Sequence, residues 1–598
     1  MGKIMPSLSA KRRNFCAITG AAIVGVASVI GLGTVLTPAL AQVGAPAAPL
    51  RLKSDFLGYS VSLSPRVGYT DNINLAPDEF RDGQTILSNL LTANAIISHP
   101  RFTALFSGDL DFSYLVEDDD FVVNQTVGGS GTATIVDNFL YFDIAGSTSR
   151  QLVGDNARFS ANANAARGQR ATVNSYSASP YIYRQFSDDS VAQLRYRFSQ
   201  SFIDEGFLDP NDIDADGIPD AVDDDIGAAV SGPSLLPDNS RSHEALAQYE
   251  SGRLFDRLTF TATAYGNLTD EEFGSILAPD GTQFDRPDFS FDQGSVSLTT
   301  QYALNTKFAL TGTVGYDELD TSTPAQFFDD DALSGVFWRG GFVTRPGRKS
   351  SLRLEYGRRY DDGFIEADAR YEISRRFVFT AGANRTFQTR ALGNSDQISQ
   401  LARRTLDFTD RLREGGEGSP REIIGLATQL GANNLGLNAQ TVGVGPTNTA
   451  FAGLTGAFDK TTVGVSAIYT NADFGFREFE NVTGTVNINR TLSRRVSLFG
   501  NALYRYADTG FSVADCVAEP ELFGFAPASI FFSPLDDCTE AASFEGVTHT
   551  IAGTVGVNYN LTPRTRAFGQ YTRSERFSPI DILEYSENAV TVGLVVDF

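Results

Sequence analysis

The stretch Ala589-Val-Thr-Val-Gly-Leu-Val-Val-Asp-Phe598 alternates an apolar series, Val590, Val592, Leu594, Val596 and Phe598, with Ala589, Thr591, Gly593, Val595 and Asp597. Successive side chains on a strand point to opposite faces, so this reads as a strand with one face fit for lipid. A soluble domain gains little from a large apolar side chain at a chain end that is usually frayed. A transmembrane barrel does gain, because its last strand must close on its first with no open edge left in the bilayer.

The same alternation recurs upstream. In Phe102 to Tyr114, the residues Phe102, Ala104, Phe106, Gly108, Leu110, Phe112 and Tyr114 share one face, and Thr103, Ser107, Asp109, Asp111 and Ser113 take most of the other. Ala192, Leu194, Tyr196 and Phe198 likewise oppose Gln193, Arg195, Arg197 and Ser199, and Ile365, Ala367, Ala369, Tyr371 and Ile373 oppose Glu366, Asp368, Arg370 and Glu372. In a soluble sandwich the apolar face would meet a second sheet. Here one face is charged or hydroxylic and the other gathers aromatics near the segment ends, as at a membrane interface.

Tight turns are expected near His99-Pro100, Asp137-Asn138, Phe186 to Asp189, Gly252 to Asp256, Asn305 to Lys307, Thr344 to Lys349, Ser374 to Arg376, Phe458 to Lys460, Leu492 to Arg495 and Asn560 to Arg564. With longer connections between them, they predict an all-β fold: a single transmembrane antiparallel barrel of about 22 strands, within a range of about 16 to 24. An even number returns both chain ends to the periplasmic side and puts the long loops outside the cell.

At the other end, Lys3, Lys11, Arg12 and Arg13 precede the mostly apolar stretch Phe15 to Leu36, which closes on Pro38-Ala-Leu-Ala41. This reads as a secretory signal over 1–41, followed by a short periplasmic segment, 42–54, and the barrel, 55–598. Its removal would leave 44 of the 48 Lys and Arg residues against 72 acidic ones, a net charge of −28, which excludes a nucleic-acid partner. Beyond Ala41 no apolar run of about 18 residues remains to form a membrane helix. Gln42 to Ser54 is too short for the plug domain of an active importer, so passive transport is expected.

Several motifs carry a resemblance. Val67-Gly-Tyr-Thr-Asp-Asn-Ile-Asn-Leu-Ala-Pro77, Ser179-Pro-Tyr-Ile-Tyr-Arg184, and Trp338 followed by Arg345-Pro346 and Glu355-Tyr-Gly-Arg-Arg-Tyr360 resemble the outer-membrane β-barrel porin family called beta-barrel porin-2. The family is often found with exopolysaccharide and PEP-CTERM sorting loci, and the resemblance runs from about Gly58 to Phe598. It implies residence in the cell outer membrane and a link to export of surface polysaccharide, and it brings no catalytic residues. Phe598 resembles the assembly signal of outer-membrane barrels. The expected partners are therefore outer-membrane lipid and lipopolysaccharide, the barrel assembly machinery, and polysaccharide-export components.

The lumen should carry charge. Leu352, Leu354 and Tyr356 are expected to face lipid, which places Arg353, Glu355 and Arg359 inside with Glu366, Asp368, Arg370 and Glu372 of the next strand. Such a ladder of opposed charges either lines a selective channel or only stabilises its wall.

Four connections stand out. In 203–240, Asp212, Asp214, Asp216, Asp220 and Asp223 with Gly217 follow the spacing of a calcium loop, although Asp stands where an EF-hand has Glu. The alternatives are a structural calcium site, the one cofactor expected, and a solvated acidic loop. In 390–447 the spacing of Ile398, Leu401, Leu406, Phe408 and Leu412 is roughly helical, with Arg403, Arg404, Arg411 and Arg413 forming a basic island. This helical insertion folds either into the lumen as a plug or outside it as a cap. In 507–545 lie Cys516 and Cys538, expected to form a disulfide that stabilises the loop by about 3 kcal/mol. Thr269 to Asp288 is polar and acidic without a legible motif. An enzyme is not expected, since none of His99, His243 and His549 accompanies a nucleophile motif.

Overall fold

The computed structural model describes residues 57–152, 158–204, 239–272, 288–321, 333–388, 445–511 and 546–598, apart from a few positions in turns and in the 158–170 connection, together with short pieces of the remaining connections. Within them, 22 strands form one antiparallel sheet, and the first, Leu57–Thr70, closes on the last, Tyr585–Asp597. The expected barrel forms, with the expected number of staves. Strands run from 10 residues in Ser350–Arg359 to 17 in Phe289–Asn305. A tilted strand needs about 9–11 residues to cross the hydrocarbon layer, so the wall extends beyond it.

Alternation decides which way each side chain points. Val590, Val592 and Leu594 are exposed on the outer face, as are Phe102, Phe106 and Phe112, Leu194 and Tyr196, and Ile365, Tyr371 and Ile373. Outward aromatics gather toward the strand ends: Tyr59, Phe102, Tyr302, Tyr371 and Tyr559 near one rim, and Tyr69, Tyr114, Tyr316 and Tyr356 near the other. Those are the girdles a bilayer interface demands. Their inward neighbours Thr103, Asp111, Ser113, Arg197, Ser199 and Glu355 are buried on the lumen side.

One rim consists of the ten expected short turns, from the turn between His99 and Phe102 to that between Thr562 and Thr565. The opposite rim is less uniform than a set of long loops. Three of its eleven connections, 116–119, 360–361 and 474–476, are as tight as those of the short-turn rim. Asp119 and Tyr360 adopt left-handed φ values of 55° and 53° to turn the chain there. The loop limits also shift, because strand pairing continues past the point where alternation fades. Phe511, Gly445 to Thr447, and Asp204 and Asn239 belong to strands, and the 269–288 connection contains a small hairpin, Ser275–Leu277 with Gln283–Asp285. The one α-helix among the described residues is Val513–Ala518. The helical insertion expected in 390–447 falls mainly on 389–444, outside the described residues.

The seam between first and last strands is irregular. Pairing runs through Ser62↔Asp597 and Leu63↔Val596, skips Ser64 and Pro65, and resumes from Arg66↔Gly593 to Thr70↔Ala589. Proline has no N–H to donate, which accounts for the break. Near the long-loop rim the seam is clasped from inside. Glu587, fully buried, accepts hydrogen bonds from Thr70 Oγ1 (2.8 Å), Asn162 Nδ2 (3.4 Å) and Ser160 Oγ. The Tyr585 hydroxyl accepts from the Phe159 N–H at 2.9 Å and donates to the Phe159 carbonyl at 2.6 Å.

Two connections thus turn into the barrel. The described part of 153–169 lays Phe159 and Ala165 against Leu75, Leu503, Ala552 and Tyr585, while the 71–83 loop buries Ile73 against Ile86, Leu115 and Val122. The second loop is held by Asn72, whose side chain closes a ring on Ala76 (2.9 and 2.7 Å) and donates to the Ser586 carbonyl at 3.0 Å.

Candidate functional site in the barrel lumen

The inward charges form a compact cluster on the strands from Phe308–Thr321 to Asp362–Ser374. Register places Arg353 opposite Asp368, as a ladder requires, but Glu355 falls opposite Glu366. Like charges directly opposed are destabilising, and a third strand supplies the remedy. Arg339, on Gly335–Gly347, reaches between them, with Nε 3.0 Å from Glu355 and Nη1 on Glu366. Glu355 also accepts from Arg353 at 3.0 Å and from the Thr311 hydroxyl. Three donors thus converge on a carboxylate that is only 1% exposed.

Arg359 does not pair with its register partner Asp362. It extends over the intervening strand, with its guanidinium 4.7 Å from the Phe337 ring centroid, and binds Asp317 at 2.6 and 2.9 Å. Phe337 makes this possible by lying flat on Gly315, where a Cβ would come within 2.4 Å of its ring. Below it, Tyr360 receives a hydrogen bond from Gln293 Nε2 at 3.3 Å, and burial pushes its phenol up to about 12, so it stays protonated at neutral pH. Arg370, exposed, and Glu372, half-buried, continue the face toward the short-turn rim. All seven expected lumen charges therefore lie on the inward face, and Arg339 and Asp317 complete the pairs that a two-strand reading left open.

The rest of the wall follows the same rule. Arg197 pairs with Glu244, which also accepts from the Tyr265 hydroxyl at 2.9 Å. Arg195 binds Asp143 at 3.1 Å while its guanidinium lies 4.1 Å above Tyr181, which stacks on Tyr141. Arg66 stands 4.0 Å from Asp111. Between these pairs run hydroxyl and amide bridges, Ser175–Ser201, Ser242–Asn267, Thr299–Thr313 and Thr554–Thr572, at 2.8 to 3.1 Å. The inner wall is thus a band of mutually neutralised charge set in neutral hydrogen-bonding groups. Most of these residues sat on the polar face of recognisable runs; what periodicity could not give is which strand supplies each partner.

Other expected residues fall elsewhere. His243 and His549 point outward, each with its Nδ1 at a tyrosine hydroxyl: Tyr196 at 2.7 Å and Tyr504 at 2.9 Å. His99 is exposed in its short turn and accepts from the Arg101 N–H at 3.3 Å. Phe598 is exposed at the closing strand, and its N–H donates to the Val61 carbonyl at 2.9 Å. Cys516 is buried and disulfide-bonded, while Cys538 lies outside the described residues. So do Asp212, Asp214, Asp216, Asp220, Asp223, Arg403, Arg404, Arg411 and Arg413. Among the described residues no group of three or more metal-ligating side chains occurs.

No family model matches the chain, and no curated protein does. Solved structures with a similar course include the ferric-catecholate import receptor Fiu from E. coli K12, at 9% identity and a TM-score of 0.46, covering 92% of this chain and 82% of that one. The siderophore receptor PiuA from Acinetobacter baumannii gives 9% identity and a TM-score of 0.42 over 90% and 82% of the two chains. The copper transporter OprC gives 10% and 0.36 over 92% and 81%. The barrel itself is read directly from strand pairing, without these likenesses.

Proposed function

We propose that the protein is an outer-membrane barrel acting as a passive, non-enzymatic conduit, with surface polysaccharide as its exported cargo. The observation that carries this reading is the inner wall: acids and arginines tied to one another, interspersed with Ser, Thr, Asn and Gln. Such a wall offers a hydrated neutral polymer many weak hydrogen bonds and little net charge to resist it. The motifs that resemble the beta-barrel porin-2 family support the same cargo, and with it partners in the export and barrel-assembly machineries and in lipopolysaccharide. Planar-bilayer recording tests the conduit, using the full mature chain and a variant lacking 389–444. Stepwise conductance is expected, and silence from both proteins would reject a pore. A deletion strain tests the cargo: surface polymer should fall while cytoplasmic precursors persist, and unchanged surface polymer would exclude it.

A second reading has its own observation. The 71–83 and 158–165 segments occupy the lumen near one rim, as they would in a barrel closed for a structural or binding role. Silence in both recordings would favour it.

A further inference from the structure

Four successive short turns, at 374–377, 457–461, 491–496 and 562–565, carry a run of cations in an otherwise acidic chain. Arg376, Lys460, Arg490, Arg494, Arg495 and Arg564 are all exposed there, and Asp459 is the one exposed acid among the described residues of these turns. None of the six is in an ion pair, whereas the arginines of the inner wall are matched with acids. Successive short turns are two strands apart, about 10 Å, so the cations form an arc of about 30 Å along the rim. The arc adjoins the lipid-facing surface. Arg490 continues the outward series of Val486 and Ile488, and the Arg376 guanidinium lies 5.9 Å from the ring centroid of exposed Phe458. Lys460, Arg494 and Arg564 follow exposed Phe458, Leu492 and Leu561 by two or three residues, within about 10 Å along the chain.

We infer that this arc is a binding site for the headgroups of anionic phospholipids in the leaflet that meets the short turns. The chemistry selects that class. Long basic side chains just past an apolar stripe lay their stems along it and hold their charge at the level of the lipid phosphates. Arg490 and Arg376 lie over lipid-facing residues, where a soluble acidic partner or a polymer entering the lumen would not meet them. Exposed acids such as Asp78, Glu79, Asp118, Asp119 and Asp120 lie beyond the opposite strand ends. At about 30 Å they are several Debye lengths away at physiological salt, so the acidity of the whole chain does not cancel the arc. This inference rests on the outer-membrane barrel reading for its leaflet, but it needs neither conductance nor a particular cargo.

The test places the full mature chain in phosphatidylcholine bilayers and measures tryptophan quenching by brominated phosphatidylglycerol or, separately, brominated phosphatidylcholine. Trp338, the chain's one tryptophan, is exposed on the outer face near the long-loop rim and reports on that end. A Trp338→Phe, Leu492→Trp variant moves the reporter to the arc, and heat-modifiable gel mobility would establish that it is a folded barrel. There phosphatidylglycerol should bind about fivefold more strongly than phosphatidylcholine, the preference expected from one basic residue near an anionic headgroup. Adding Arg490→Gln, Arg494→Gln and Arg495→Gln, or raising salt to about 1 M, should bring the ratio close to one. At Trp338 in the wild type the two lipids should quench alike. Equal quenching at the arc in a folded variant would overturn the inference and leave the cations to a soluble acidic partner. A preference that survives the three substitutions, or that is as large at Trp338, would also overturn it. The two proposals fail separately: a lipid preference at the arc of a barrel silent in planar bilayers would remove the conduit and leave the site standing.

Discussion

Replacing Tyr585 with Phe removes one oxygen, and the structure says what that oxygen holds. It satisfies both the N–H and the C=O of Phe159, two backbone groups buried against the barrel wall. If the segment stays in place, each orphaned group costs about 1–3 kcal/mol, or about 2–6 kcal/mol together. If the segment lifts off, water repairs both groups, but the burial of Phe159 is forfeited, about 1.5–3 kcal/mol, together with the Glu587 bonds. The molecule takes the cheaper course, so Tyr585→Phe should lose at least about 2 kcal/mol of the clasp's stability, roughly a thirtyfold rise in the lifted fraction. Ala165, fully buried in the same segment, reports this while taking no part in the Tyr585–Phe159 hydrogen bonds. A cysteine introduced by Ala165→Cys should react slowly with a water-soluble maleimide in the parent and about thirty times faster in the Tyr585→Phe background. Equal labelling rates would refute the claim that this hydroxyl anchors the segment.

Other consequences are as specific. Gly593→Ala puts a Cβ 2.7 Å from the Phe568 ring and 2.8 Å from the Pro65 carbonyl across the seam, whereas Gly510→Ala meets nothing within 4 Å. The first should lower the temperature of the heat-modifiable gel shift, at a cost of about 1–3 kcal/mol, and the second should not. Glu355→Gln removes the carboxylate on which Arg339 and Arg353 converge, so under a KCl gradient the reversal potential should move toward that of chloride. Calcium is tested by calorimetry on the wild type and an Asp214→Ala, Asp216→Ala variant; indistinguishable isotherms would remove the site.

What period-two alternation determines, it determined well. The lipid-facing Val590, Val592 and Leu594, the inward Arg353, Glu355 and Arg359, and the ten short turns all follow from which side of a pleat a residue occupies. Contacts between non-adjacent strands lie beyond that logic. That Arg359 would pass its register partner for Asp317 depends on Phe337 lying flat against Gly315, a matter of three strands at once. The inward loops escape it for a similar reason: Leu75 and Phe159 look like ordinary loop residues until the far end of the chain arrives beside them. The Val67 to Pro77 motif gains a physical reading from this, because Thr70, Asp71 and Asn72 bond to Glu587, Asn588 and Ser586 of the closing strand.

The clasp also fixes an order of events in folding. Phe159 and Tyr585 are 426 residues apart, and Thr70 and Glu587 are 517. Contacts so remote in sequence are the slowest to form, and these have no partner until the final strand has been made. Every other stave can find its neighbour as a local hairpin, but the clasp can only record that the ring is complete. A chain stalled before Tyr585 would keep the Phe159 segment uncovered, so engagement of that segment separates finished barrels from unfinished ones.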